Sequence, residues 1–471
     1  MPKPKKTIQQ VLLTGIADKG YAVGRDPEGV VAFVEGGVPG DVVDILVLQK
    51  KKSFAYGIVS KFHTLSKDRI EPFCRHFDDC GGCKWQNLQY SAQLHHKQKV
   101  VEDAMHRLAK IDDAEIRPIK GSDDIKYYRN KLEFSFSNKR WLTQYEIEHS
   151  NEIVPEPALG FHRPSSFDKI LDIRECFLQN DLHNDIRNFI KTFCIEKQFS
   201  FYNARSHEGF MRNIIIRNTN LGEWMLIVVF NRNDEKKIKL LLEAIKEKFS
   251  FITSLMYVVN QKVNDTILDQ EILCYSGKDH LVEKLGDVKF KIGPKSFFQT
   301  NSHQAKLLYD QIVEFADFSM TDNVYDLYTG LGSIALYIAK YVKQVTGIEE
   351  VAAAIEDAEA NAKFNGIENT IFYAGDVRGI LTDEFSLKHG KPDVIITDPP
   401  RAGMHKEVVD TLLMMESPKI VYVSCNPATQ ARDLALLKDK YDVVKMQPVD
   451  MFPHTHHVEN VALLILKLTP A

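Results

Sequence analysis

The chain has 471 residues, 44% hydrophobic and 26% charged, with a formal net charge of −4. That length predicts more than one domain, the net charge by itself gives no nucleic-acid signal, and the composition excludes a disulfide scaffold and a low-complexity protein. No apolar run approaches a membrane span, and Met1–Lys6 lacks the apolar stretch of a secretory signal, so a soluble, cytoplasmic chain is expected.

Charge is unevenly placed. Residues 1–140 hold 24 Lys/Arg against 18 Asp/Glu, a balance of +6, and the remainder holds 36 against 46, a balance of −10. Thr7–Lys61 reads as short strands (Gln10–Leu13, Val30–Val34, Val42–Leu48, Ala55–Ser60) punctuated by glycines, the pattern of a five-stranded barrel of the OB kind. Such barrels often hold oligonucleotides. Lys50-Lys51-Lys52 is then a phosphate-contacting loop or a solvated charge run.

Cys74-x5-Cys80-Gly-Gly-Cys83 follows, with Gly81-Gly82 allowing a tight fold that faces Cys80 and Cys83 toward one centre. Cys176 is the best fourth ligand. Four thiolates suit Zn²⁺ or an iron–sulfur cluster, and spacing does not separate the two. Leu88–Leu108 has helical periodicity. The adjacent His95 and His96 do not share a helix face, so no metal is expected there. Arg129 and Lys131 lead into a strand, Leu132–Phe136, and are expected on one side, as a phosphate contact or a polar sheet face. Strands at Met211–Arg217, Trp224–Phe230 and Ile252–Val259 and a helix at Asp234–Phe249 describe an α+β middle region.

From Thr321 strands and helices alternate, which predicts a doubly wound sheet. Its first turn is Tyr328-Thr329-Gly330-Leu331-Gly332-Ser333, without the third glycine of a dinucleotide fingerprint. Glu349, 17 residues beyond Gly332, stands where a ribose diol is accepted, and Asp376 suits an adenine amine. The acidic Asp326 and Asp398 disfavour a pyrophosphate. The ligand expected is a cationic, phosphate-free nucleoside, S-adenosylmethionine. Gln299, before the helix His303–Phe315, faces a ligand or caps. Asp398-Pro399-Pro400-Arg401 resembles the motif of exocyclic-amine methyltransferases but ends in Arg instead of an aromatic. Cys425 ends the strand Val421–Val423 and precedes the helical run Ala428–Leu437, so its thiol is read as a nucleophile favoured by nearby amides. His454, His456 and His457 read as a polar loop rather than metal ligands. Glu459 enters the last strand, and a thiol and a carboxylate beside one cofactor suit methylation at carbon.

Together these motifs resemble the RNA 5-methyluridine methyltransferase family, over essentially the whole chain, and most closely its 23S ribosomal RNA branch. The resemblance implies a TRAM barrel (1–62), a central α+β domain with a [4Fe-4S] rather than zinc site at Cys74, Cys80, Cys83 and Cys176 (63–290), and a Rossmann-like methyltransferase domain (291–471). The helix near 88–110 is expected on the catalytic domain. Cys425 is implied as nucleophile and Glu459 as base. Gln299, Tyr328, Ser333, Glu349, Asp376 and Asp398 fall on cofactor positions, Ser333 and Asp376 standing where some members carry Asn. Asp398 holds the cofactor or the uracil imide edge. Expected partners are RNA, 23S rRNA or else tRNA, with the chain monomeric. The alternatives are cytosine carbon-5 methylation and a non-catalytic RNA-binding or ribosome-assembly factor.

Overall fold

A computed structural model describes residues 6–149, 156–163, 166 and 168–467. Five strands, β1 (Thr7–Ile16), β2 (Ala22–Arg25), β3 (Val31–Glu35), β4 (Val42–Lys50) and β5 (Phe54–Thr64), close a barrel in the order β1-β2-β3-β5-β4. Alternation along them turns Val11, Leu13, Val34, Val43 and Ile45 inward. β2 is the strand that the sequence pattern missed; at four residues it is too short to show a period.

Next in the chain are the helix Tyr90–Ala104, continued by a π-turn at Met105–Ala109, and a two-residue strand β6 (Glu115–Ile116). A seven-stranded sheet follows: β7 (Lys131–Ser137), β8 (Ala158–His162), β9 (Ile170–Asp172), β10 (Met211–Asn218), β11 (Trp224–Phe230), β12 (Ser254–Val259) and β13 (Leu273–Gly277). Its order is β13-β12-β11-β10-β7-β8-β9. One face buries Phe134, Ile214 and Leu226 against the helices Leu182–Glu196 and Glu235–Lys248. Asp234 caps the second helix by accepting from the Lys237 amide, which is why the helix starts there.

A hairpin, β14 (Leu281–Leu285) and β15 (Val288–Ile292), leads to the last sheet: β16 (Asn323–Leu327), β17 (Gln344–Glu349), β18 (Thr370–Ala374), β19 (Val394–Thr397), β20 (Lys419–Ser424), β21 (Tyr441–Val449) and β22 (Glu459–Leu466). The order is β18-β17-β16-β19-β20-β22-β21-β6. The first five are parallel, β22 runs antiparallel to β20, and β6 joins the edge beside β21. Parallel strands buried on both faces need apolar runs, and β19 and β20 supply them. The helix Ser302–Ala316 covers one face and the helices Lys406–Met415 and Pro427–Leu437 the other. Tyr90–Ala104 and its π-turn pack on Pro427–Leu437, placing Val101, Met105 and Ala109 in the core with Tyr422 and Leu464. No described helix is long and apolar enough to cross a membrane.

The helix Tyr90–Ala104 buries a charge as well. Lys97 Nζ lies 2.5 Å from Asp450 Oδ1, both side chains fully buried, and donates to the Phe452 carbonyl at 3.0 Å. The Tyr90 hydroxyl donates to the other Asp450 oxygen at 2.8 Å. Two buried charges hold each other only when their remaining bonds are filled, as they are here. Lys97→Met leaves Asp450 buried without its counter-charge and is expected to cost about 3–5 kcal/mol. The double change Lys97→Met/Asp450→Leu is expected to recover most of that loss, read as the melting temperature of each variant.

Candidate active site

β20 ends at Ser424, paired with Asn460 of β22. The next residues along each strand in that antiparallel register are Cys425 and Glu459. Strand pairing therefore brings a thiol and a carboxylate together from positions 34 residues apart in sequence. Cys425 is half-buried, and the Asn426 side chain caps the following helix by accepting from the Ala428 amide at 3.1 Å.

The other parallel strands bring acids to the same edge. Asp326, the last residue but one of β16, is fully buried and accepts from Thr329 Oγ1 at 2.5 Å and the Ala335 amide at 3.2 Å; its second oxygen has no hydrogen-bond partner. Asp398 follows β19, its amide bonded to the Leu327 carbonyl. Glu349 ends β17 and accepts from the amides of Gly330 and Val351. Burial pushes Asp326 and Asp398 up to about 7, Asp326 further through the neighbouring Asp398. Burial and then Asp398 push Glu459 up to about 8, with Arg401 opposing.

Tyr328, Gly330 and Gly332 all adopt positive φ, at 64°, 58° and 80°. Gly332 has no room for a side chain, since a Cβ there would meet Ala358 Cβ at 3.1 Å and the Phe372 ring at 3.2 Å. A tyrosine held in the left-handed region marks strain of the kind kept at ligand-binding turns. Ser333 opens the next helix, its hydroxyl 2.8 Å from Tyr309 OH. Gln299 is half-buried before the helix Ser302–Ala316, and its carbonyl accepts from Asn130 at 2.9 Å. Asp376 stands apart from this group in chemistry. It caps its helix and pairs with Arg378, which holds its carboxyl down to about 2.

Two expectations need correction. The Cys425 thiol is expected to be lowered by local amides or a nearby cation. Burial first, then Glu459 and Asp398, push it up to about 11, and Arg401 offsets only part of this. The histidine segment is a loop, as expected, with His456 and His457 partly exposed. His454 is buried, accepting through its carbonyl from the Lys84 and Trp85 amides and bonding Gln93 through its ring and amide. Arg129 and Lys131 do not share a side. Arg129 lines the cysteine cavity and lies over Phe452, whereas Lys131 sits on β7 beside Arg217.

Tyr309 escaped the sequence reading, and Arg401 entered it only as a departure from an aromatic. Tyr309 lies on the buried stripe of its helix, so its apolar neighbours Leu308 and Ile312 disguised it as core. Burial raises its hydroxyl, and so do Asp398, Asp326 and Glu459. Arg401 is the cation that favours the charged forms of both Cys425 and Glu459.

Cys74, Cys80, Cys83 and Cys176 line one cavity of about 430 Å³. Burial pushes Cys80 and Cys83 up to about 12. Among the described residues no group of three or more His, Cys, Asp or Glu side chains is arranged to hold a metal ion.

A strained glycine turn, acids at the strand ends and a strand-end thiol opposite a carboxylate, joined to a small barrel, define a nucleic-acid-modifying methyltransferase architecture. The chain belongs to the tRNA (uracil-5-)-methyltransferase family, whose model matches residues 218–467, and a TRAM domain matches residues 5–60. An RNA methyltransferase of Bacteroides thetaiotaomicron is 52% identical over 96% of this chain and 100% of its own. One from Chlorobaculum tepidum is 39% identical over 97% and 96%. The crystal structure of Pyrococcus abyssi tRNA (uracil-54, C5)-methyltransferase, in complex with S-adenosyl-L-homocysteine, is similar with a TM-score of 0.73 and 28% identity, covering 97% of this chain and 100% of that one.

The acid cluster generates a test on the ligand-free protein. Asp398→Asn removes one carboxylate that disfavours the thiolate, so the Cys425 pKa falls. Alkylation of the Cys425 peptide, followed by mass spectrometry across pH 7–11, is expected to rise at lower pH than in the parent. An unshifted profile means the two groups do not interact.

Proposed function

We propose that this protein transfers a methyl group from S-adenosylmethionine to carbon-5 of a uridine in RNA. The observation that carries the reading is the β20–β22 register, which sets Cys425 beside Glu459 at an acid-lined cleft. Gln299, Tyr328, Ser333, Glu349, Asp376 and Asp398 are the residues proposed to hold the donor. Asp376 must then share its carboxylate with Arg378. When bound, the donor supplies the methyl group and a positive charge.

Uracil carbon-5 is a weak nucleophile. Cys425 adds to carbon-6, and carbon-5 takes up electron density and accepts the methyl group. Glu459 then removes the carbon-5 proton, and the Cys425–carbon-6 bond breaks to restore the double bond. A thiol near 11 and acids near 7 and 8 are those of an empty site. A cation beside them favours thiolate and carboxylate together. The uracil must leave its stack to reach Cys425.

The RNA we propose is 23S rRNA, supported by the resemblance of the four-cysteine motif to that branch. The archaeal neighbour, named for tRNA uracil-54, supports tRNA as the second reading. The barrel (1–62) and central region (63–290) are proposed to hold RNA while 291–471 carries the chemistry, as a monomer in the cytoplasm. At the cysteines we propose a [4Fe-4S] cluster. Four soft donors on one cavity suit it, and a cluster spaces its thiolates more widely than a single ion does. It would tie the segment carrying Cys74, Cys80 and Cys83 to that carrying Cys176.

The function is tested by mapping 5-methyluridine in 23S rRNA and tRNA from a strain lacking the protein. Loss at one 23S position is expected; loss from tRNA alone selects the second reading. Cys425→Ala is expected to bind S-adenosylhomocysteine normally with turnover down at least about 10³-fold. Glu459→Gln is expected to trap a covalent protein–RNA adduct on denaturing gels, and absence of adduct removes Glu459 as the base. Anaerobic purification is expected to yield a brown protein with about four irons per chain, and Cys80→Ser a colourless, less stable one. A colourless parent containing zinc refutes the cluster.

A further inference from the structure

The cavity of about 560 Å³ in this protein lies away from the catalytic cleft, on the central sheet. The β7–β10 pairing sets Ser135 opposite Asn213, Glu133 opposite Ile215 and Lys131 opposite Arg217. Strand alternation puts these residues on the face turned away from the Phe134–Ile214 core. At one end this face meets the catalytic unit, where Arg217 donates to the Ser296 carbonyl at 2.8 Å and Asn130 to Ser302 Oγ at 2.9 Å. At the other end, four residues or about 14 Å along β7, it opens into the cavity.

The floor of the cavity is built from buried groups, among them Tyr202, Arg212 and Asn213. Arg212 is 1% exposed, its guanidinium 4.4 Å from the centre of the Tyr202 ring. It holds the carbonyls of Asn260 and Asn264 and the Asp265 carboxylate, yet its Nε is buried with no hydrogen-bond partner. Beside it the Asn213 amide donates to Ser135 Oγ at 3.0 Å. At the rim, His207 bonds the Tyr202 hydroxyl and Arg205 pairs with Asp168.

Its charges are matched, Arg212 by Asp265 and Arg205 by Asp168, so the cavity is not an anion trap. What it offers is a rim of exposed flat groups, the His162 and His207 rings and the Arg205 guanidinium, above a floor of buried amide and hydroxyl groups. A flat ligand with a polar edge meets both demands. We propose that this cavity is a second RNA subsite that receives an unstacked nucleobase flanking the target uridine. The proposal rests on the reading that the substrate is RNA. It explains how a chain of net charge −4 gains RNA affinity without relying on phosphate contacts alone.

The test uses the full chain in a Cys425→Ala background, with unmodified 23S rRNA and tRNA transcripts, each measured across a salt series. Ala204→Trp fills the cavity from its rim, and Asn213→Ala strips its amide. Both are expected to weaken the more tightly bound transcript by about tenfold. S-adenosylhomocysteine affinity and the slope of log K against log salt are expected to stay unchanged, because no phosphate contact is lost. Affinity within twofold of the parent in both variants, or a shallower salt slope, overturns the base subsite. The unsubstituted protein is assayed in parallel for 5-methyluridine in the same transcripts. A parent that binds RNA but makes none refutes the methylation reading, while the variants still decide the subsite.

Discussion

The site depends on one antiparallel strand set into a parallel sheet. β22 lies between β20 and β21, and its register with β20 decides that Glu459 faces Cys425. A slip of one residue would turn Glu459 to the other face of the sheet and leave the thiol alone. The register is held from outside the sheet. Val449 pairs with Glu459 at the base of the β21–β22 loop, and Asp450, the next residue, is the one buried against Lys97. A helix from the N-terminal third thereby anchors the loop that leads into Glu459.

The same loop joins the cysteine site to the catalytic cleft. The amides of Lys84 and Trp85, directly after Cys83, bond the His454 carbonyl, and the Tyr128 hydroxyl bonds the Pro453 carbonyl. The Trp85 indole reaches back to the Gly20 carbonyl of the barrel region. Three parts of the chain thus converge on Phe452–His457. Whatever positions the segment after Cys83 also positions the loop before Glu459.

Electrostatics at the cleft runs against its empty state. Burial raises Asp326, Asp398, Glu459 and the Cys425 thiol; Asp398 raises the other three further, Glu459 adds to the shift of Cys425, and Arg401 opposes part of this at Glu459 and Cys425. Such an arrangement is costly alone and stabilised by a bound cation.

Much of this was legible in the primary structure, because it is local. β11 and β19 coincide with their apolar runs, the helix Glu235–Lys248 lies within its predicted bounds, and the glycine turn at 328–333 was visible from its spacing. The strand-end positions of Asp398, Glu349 and Cys425 follow from alternating strands and helices. What sequence could not decide were quantities set by distant neighbours. The direction of the Cys425 shift depends first on burial and then on Glu459 and Asp398, which are near only in the folded chain. The burial of His454 within its loop was not visible because its partner, Gln93, lies 361 positions away. Tyr309 looked like core, and Arg129 and Lys131 parted because Arg129 lies before β7 begins, outside its alternation. Periodicity reports which face a residue occupies within one element. Only packing between elements decides what that face meets, and with it the protonation, burial and reach of each functional group.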